Sequence, residues 1–125
     1  ISPFERRSEG YTLSPALVVY APVLSTPEPG HLVIGAGRRD ASSDGALPTV
    51  VGARRGSDAL AVSGITTHRL FDQHIVASMP LDCPLQPGDE VELGISHPCT
   101  TFDKWRWIPV VDDDNRIVDV IRTFF

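Results

Sequence analysis

The tripeptide His97-Pro98-Cys99 places an imidazole and a thiol two residues apart, directly after a β-forming run, Glu90-Val91-Glu92-Leu93-Gly94-Ile95. If the backbone stays extended, side chains at alternate positions point the same way, with Cα atoms roughly 6.7 Å apart. Both donors then reach one ion, at about 2.0–2.1 Å for a Zn–N bond and about 2.3 Å for Zn–S. Pro98 stiffens the step between them. Sulfur with imidazole favours zinc, whereas magnesium and calcium take oxygen donors. A structural zinc site has four protein ligands, and no second His/Cys pair sits at recognisable spacing. A zinc held here is completed by water, by substrate or by a residue from elsewhere, which is the open shell that catalytic zinc requires. A His and a Cys two apart also arise by chance, so the competing reading is a loop without metal.

The other chemistry-bearing residues carry blander expectations. Cys83, between Asp82 and Pro84, reads as a small apolar residue near a turn. With Cys99 it makes only two cysteines, neither in a CxxC pair, so no disulfide framework is expected and a reducing, cytoplasmic setting fits. Asp112-Asp113-Asp114 lacks the glycine and distal glutamate of a calcium loop and reads, with Asn115, as a hairpin turn. His31 and His68 are expected to be ordinary; Thr100 and Thr101 are placed to hydrogen-bond near a metal on His97 and Cys99, although strand-end threonines need no such role. Phe102, Trp105 and Trp107 read as packing residues that also suit a domain contact, and Phe124-Phe125 as an apolar end that docks on this core or on another body.

The elements that must position these residues read as strands. Short Val/Ile/Leu/Thr runs recur at 16–21, 31–34, 49–51, 59–62, 65–67, 74–77, 90–95, 107–111 and 116–121, separated by Gly, Pro and Asp clusters. No segment carries helical apolar spacing over three turns, and eleven prolines would break long helices. The pattern predicts an all-β domain, a barrel or sandwich of short, mostly antiparallel strands over residues 13–125. Residues 1–12 are charged and read as a linker entering that domain, and the start at Ile1 as a cut within a longer protein. At 125 residues and 42% hydrophobic content the chain suits one domain with a real core. A net charge of −5 argues against nucleic-acid binding, and the Arg6-Arg7, Arg38-Arg39 and Arg54-Arg55 pairs read as solvated loop charge. Neither a bilayer-spanning run nor a signal segment stands in the sequence, so no membrane partner is expected.

Several motifs in order resemble the C-terminal domain of the D-serine dehydratase-like family. They are Pro15-Ala16-Leu17-Val18-Val19, Ser25-Thr26-Pro27-Glu28-Pro29-Gly30, Gly37-Arg38-Arg39-Asp40 with Asp44-Gly45-Ala46-Leu47-Pro48, and Asp72-Gln73-His74. Gly88-Asp89-Glu90-Val91-Glu92-Leu93, Ser96-His97-Pro98-Cys99-Thr100-Thr101, and the ending from Ile108 through Arg122 complete the set. The resemblance spans about Tyr11 to Phe125. It implies a fold-type III pyridoxal phosphate enzyme similar to alanine racemase, whose N-terminal α/β barrel carries the cofactor on a lysine and precedes this β-domain. The single lysine, Lys104, stands beside Asp103, which keeps it protonated, so it is expected to be a surface or ion-pair residue rather than the Schiff-base lysine. The family implies zinc on His97 and Cys99, acting on a departing β-hydroxyl, with His74 contacting substrate or supporting the site. It implies a small D-amino acid substrate, D-serine or D-threonine, converted to a 2-oxo acid and ammonia, and a homodimeric intact enzyme. The partner of this domain is then the N-terminal barrel, without which the chain is inactive. Relatives that are D-threonine aldolases carry His-x-Asp at the metal pair, so Cys99 leans toward the dehydratase. The alternatives are an aldolase-like domain and a non-catalytic β-barrel interaction module. Isolated, the domain is expected to expose an unpaired sheet edge and an apolar barrel-facing surface, and to self-associate.

Overall fold

A computed structural model describes residues 6–8, 11–13 and 16–125. Of the linker expected over 1–12, most lies outside the described residues; within that stretch β1 (Arg6–Ser8) pairs antiparallel with β2 (Tyr11–Leu13). The body of the domain is a seven-stranded antiparallel sheet. Its strands are β3 (Val18–Ser25), β4 (His31–Ile34), β5 (Thr49–Arg55), β6 (Asp58–Leu60), β7 (Thr66–Leu70), β8 (Ile75–Ser78) and β9 (Glu90–Gly94). Their order across the sheet is β6-β5-β9-β3-β4-β8-β7.

β3 holds the sheet together because it serves two halves. Val18 to Pro22 pair with β9, whereas Val23 and Ser25 pair with β4, with an irregularity between Val23 and Ser25. Alternation along β3 buries Val19, Ala21 and Val23 and leaves the intervening side chains outward, the period-2 pattern of a half-buried strand. These residues join Leu32, Ile34, Ile75, Val91 and Leu93 in one hydrophobic core, with Cys83 packed against its margin as expected.

The all-β, antiparallel expectation holds, but its barrel form is corrected: among the described residues the sheet does not close. β6 and β7 end the hydrogen-bonded order, and where the curled sheet brings its two ends near each other, Thr67 Oγ1 donates to the Pro48 carbonyl at 2.8 Å. One reason is that β6 is only three residues long and β7 carries an irregularity between Thr67 and Arg69, which interrupts the straight edge that a closing ladder needs.

After β9 the chain makes a single helical turn, α1 (Cys99–Phe102), and then a separate two-stranded sheet of β10 (Trp107–Val111) and β11 (Ile117–Arg122). The turn read at Asp112–Asn115 is present: Asp112 Oδ1 accepts from the Asp114 and Arg116 amides at 3.0 and 2.9 Å, and Asn115 adopts φ 62°. Ile108 and Val110 are half-buried, but most of the hairpin's apolar surface is open. Trp105, Trp107, Val120, Ile121, Phe124 and Phe125 are all exposed, so the packing expected of both tryptophans and the docking of the terminal phenylalanines are not satisfied by this core. Lys104 pairs with Asp103 at 3.8 Å, as a surface lysine should. Among the described residues, no helix is long and apolar enough to cross a membrane.

Candidate functional site

Three loops leave the same end of the sheet: residues 35–48 between β4 and β5, 71–74 between β7 and β8, and 95–106 between β9 and β10. Main-chain and hydroxyl hydrogen bonds lock them together. The Arg38 and Arg39 amides donate to the Phe71 and Asp72 carbonyls at 2.8 and 3.1 Å. Gly37 permits this approach, since a Cβ there would sit 2.4 Å from the Asp72 backbone. Further along, the Ser42 amide donates to Thr101 Oγ1 at 2.9 Å and Ser42 Oγ donates to the His97 carbonyl at 3.2 Å. The Trp105 indole closes the cluster by donating to the Asp40 carbonyl at 2.8 Å. Thr100 and Thr101 are thus both engaged, Thr101 buried and Thr100 donating to Asp44 Oδ2 at 2.9 Å.

The His97–Cys99 step differs from the extended geometry expected of it. Pro98 adopts helical angles, φ −75° and ψ −19°, and its carbonyl accepts from the Thr101 and Phe102 amides at 3.0 and 2.9 Å, so Cys99 opens α1. The chain turns as it leaves β9 at Gly94, and the turn delivers the Thr101 hydroxyl to the Ser42 amide of the 35–48 loop, a contact distant in sequence. Alternation along a strand therefore does not relate the two donors; the start of a helical turn does. Both side chains are exposed at the loop surface rather than packed in a dry interior. Their nitrogen and sulfur chemistry fits a zinc ion with open positions. Among the described residues, no third His, Cys, Asp or Glu completes a metal-holding group with them.

His74 is placed apart from that pair. It lines a shallow cleft of about 430 Å³ with Arg38, Arg39, Phe71, Asp72 and Gln73. The Arg38-Arg39 pair, read from sequence as solvated charge, is therefore also cleft lining. His31 lies 3.8 Å from Glu28, and His68 Nε2 lies 2.7 Å from Ser78 Oγ; both are accounted for by surface contacts.

One residue escaped the sequence reading as a site residue. Asp44 Oδ2 lies 4.0 Å from His97 Nδ1, although 53 residues of chain separate them. In the sequence it stood only within the motif Asp44-Gly45-Ala46-Leu47-Pro48, which says nothing about what its side chain faces.

The family described as "Putative serine dehydratase domain" matches residues 16–111. Among solved structures, D-threonine aldolase from Filomicrobium marinum is similar in fold, with a TM-score of 0.68 at 18% sequence identity. The likeness covers 82% of this chain and 26% of the aldolase, so the chain spans about a quarter of that protein's length. No curated protein matches significantly in sequence.

Proposed function

Because this chain belongs to the serine dehydratase domain family, we propose that it is the metal-bearing β-domain of a larger pyridoxal phosphate enzyme that converts a β-hydroxy-D-amino acid to a 2-oxo acid and ammonia. The observation that carries the reading is the exposed His97–Cys99 pair, inside the matched region and on a loop anchored to the 35–48 loop through Ser42.

His97 and Cys99 would hold zinc, which supplies Lewis acidity to a departing hydroxyl, a poor leaving group when free. Pyridoxal phosphate, held by the remainder of the enzyme, would supply the electron sink for loss of the α-proton. The chain's own part is positional. Ser42 and Thr101 fix the backbone on either side of the donor pair, so the site is presented on a rigid platform rather than a free loop. Arg38, Arg39 and His74 present cationic and hydrogen-bonding groups on the same loop cluster, available to a carboxylated substrate or to the cofactor-bearing body. The exposed apolar hairpin β10–β11 follows the site directly and would rest on that body, orienting the loop cluster toward it.

The test is turnover by the full-length protein. His97→Ala and Cys99→Ala should each abolish metal-dependent activity while leaving pyridoxal phosphate bound; undiminished activity in either variant removes the assignment. The fold likeness to a D-threonine aldolase favours a second reading, cleavage of the same substrate class. D-Threonine separates the two: 2-oxobutanoate means dehydration, and glycine with acetaldehyde means cleavage.

A further inference from the structure

The geometry points to Asp44 as a positioning residue that selects the Nδ1–H tautomer of His97 and thereby leaves Nε2 free as a metal donor. This rests on the reading of His97 as a zinc ligand, and adds to it a residue outside the ligand pair.

The Asp44 backbone is fixed from both sides. Its carbonyl accepts from Ser96 Oγ at 2.7 Å, its amide donates to Ser42 Oγ at 3.2 Å, and the Ala46 amide two residues on donates to Ser96 Oγ at 3.0 Å. Gly45 completes the turn at φ 84°, a left-handed conformation that costs glycine little. The serines that clamp this turn are placed by the site segment itself: Ser96 immediately precedes His97, and Ser42 bonds the His97 carbonyl. The carboxylate is then held by Thr100, one residue beyond Cys99. Every restraint on Asp44 thus comes from the 96–101 segment or from Ser42, and together they aim its Oδ2 at one ring nitrogen of His97.

A metal-bound imidazole coordinates through one nitrogen and needs the proton on the other, and an acceptor near that second nitrogen fixes the tautomer and the ring orientation. At 4.0 Å the Asp44–His97 contact is too long for a hydrogen bond. Its effect is coulombic: a negative oxygen on the Nδ1 side favours the N–H dipole there. Among the described residues, Asp44 is the one carboxylate within ion-pair distance of His97. Direct ligation by Asp44 is a different arrangement, and no such three-ligand group is present among the described residues.

The experiment uses the 125-residue chain. Long-range ¹H–¹⁵N NMR of the zinc-free protein, at a pH where the ring is neutral, reads the His97 tautomer, and chelator competition reads zinc affinity. The expected result is an Nδ1–H ring in the wild type, a shift toward Nε2–H in Asp44→Asn, and a fall in zinc affinity of up to about 10-fold, the low end for a carboxylate behind a metal-bound imidazole. Asparagine keeps an acceptor for Thr100, so the loop anchor survives. Asp44→Glu should restore part of both readouts. Thr100→Ala frees the carboxylate without altering it and should produce a smaller change in the same direction. An Nε2–H ring in the zinc-free wild type overturns the proposal whatever the variants do, and so does an Asp44→Asn protein with unchanged tautomer and affinity. If His97→Ala and Cys99→Ala bind zinc as tightly as the wild type, the metal reading fails instead, while the tautomer still decides whether Asp44 governs His97.

Discussion

β9 and β11 are built from the same kind of residue and meet opposite fates. In β9, Val91 and Leu93 are 0% exposed, because β5 and β3 flank the strand on both edges and the rest of the core covers its inner face. In β11, Ile117 is 66% exposed, and Val118, Val120 and Ile121 are also open, because among the described residues the strand has one neighbour, β10, and no layer over it. Apolar composition drives burial only where the fold supplies something to bury against. A lone two-stranded hairpin is marginal in water, and one rich in exposed Val and Ile is a candidate docking surface on the function proposed above. Arg122 stacks over Trp107 and Phe124 at 5.2 Å each, which shields part of this surface while the domain is free. At the hairpin's tip, the Asn115 side-chain amide reaches the Tyr20 hydroxyl of β3 at 3.2 Å and anchors that end.

Substitutions should separate the two regions. Leu93→Ala opens a cavity in the packed core and should cost about 2–5 kcal/mol of stability, measured by urea or thermal unfolding. The equivalent apolar loss in the hairpin, Val120→Ser, should stay within about 0.5 kcal/mol in the isolated chain, because little is buried to lose. A cost of several kcal/mol at Val120 would mean that the hairpin is packed in the free domain and that the contrast is false.

Acid should act on the core side of the comparison first. Asp89 is buried beside β9 and accepts from Arg55 Nε and a terminal guanidinium nitrogen at 2.8 and 2.9 Å, and from the Gln86 amide at 2.9 Å. The Arg55 hydrogen bonds lower its carboxyl pKa; burial opposes this, and the Gln86 amide and the charge of Arg55 add to the lowering. A lowered folded pKa means that the pair contributes stability above the unfolded value of about 3.9, and that this contribution is lost as pH falls through the folded value. Arg55→Met should therefore lower the unfolding midpoint at neutral pH and flatten its fall between about pH 5 and the acid limit. An unchanged acid profile would show that the pair does not supply this linkage.

The smallest expected effect is on association. Charge placed on the open face, as in Ile117→Lys with Val120→Lys, should lower self-association in light scattering without shifting the unfolding midpoint appreciably. A wild-type chain that stays monomeric at high concentration would count against the hairpin as a docking surface.

The same contrast explains how far the fold could be read from residues. Val18 to Ser25 announces itself by alternation, and Asp112 to Asn115 by turn chemistry, because both signals are local. The His97–Cys99 candidate rests on residue type and spacing alone. What local signals do not carry is the course of Pro98, whose helical angles follow from Thr101 being held by a loop some sixty residues earlier in the chain. Closure of the sheet is equally non-local, depending on how short β6 is and where β7 bulges. Asp44 and the Arg38-Arg39 cleft lining belong to the same class: each is an ordinary loop residue until the fold shows what it faces. Trp105 and Trp107, read as packing residues that also suit a domain contact, are exposed, which no local signal foretells.

Zinc binding by the chain itself tests the central claim most directly. Chelator competition on the wild type, His97→Ala and Cys99→Ala should show one zinc per chain, with affinity lost in both variants and the fold retained. One zinc bound equally well by all three proteins, or none bound by the wild type, would contradict the assignment of His97 and Cys99 as the ligand pair.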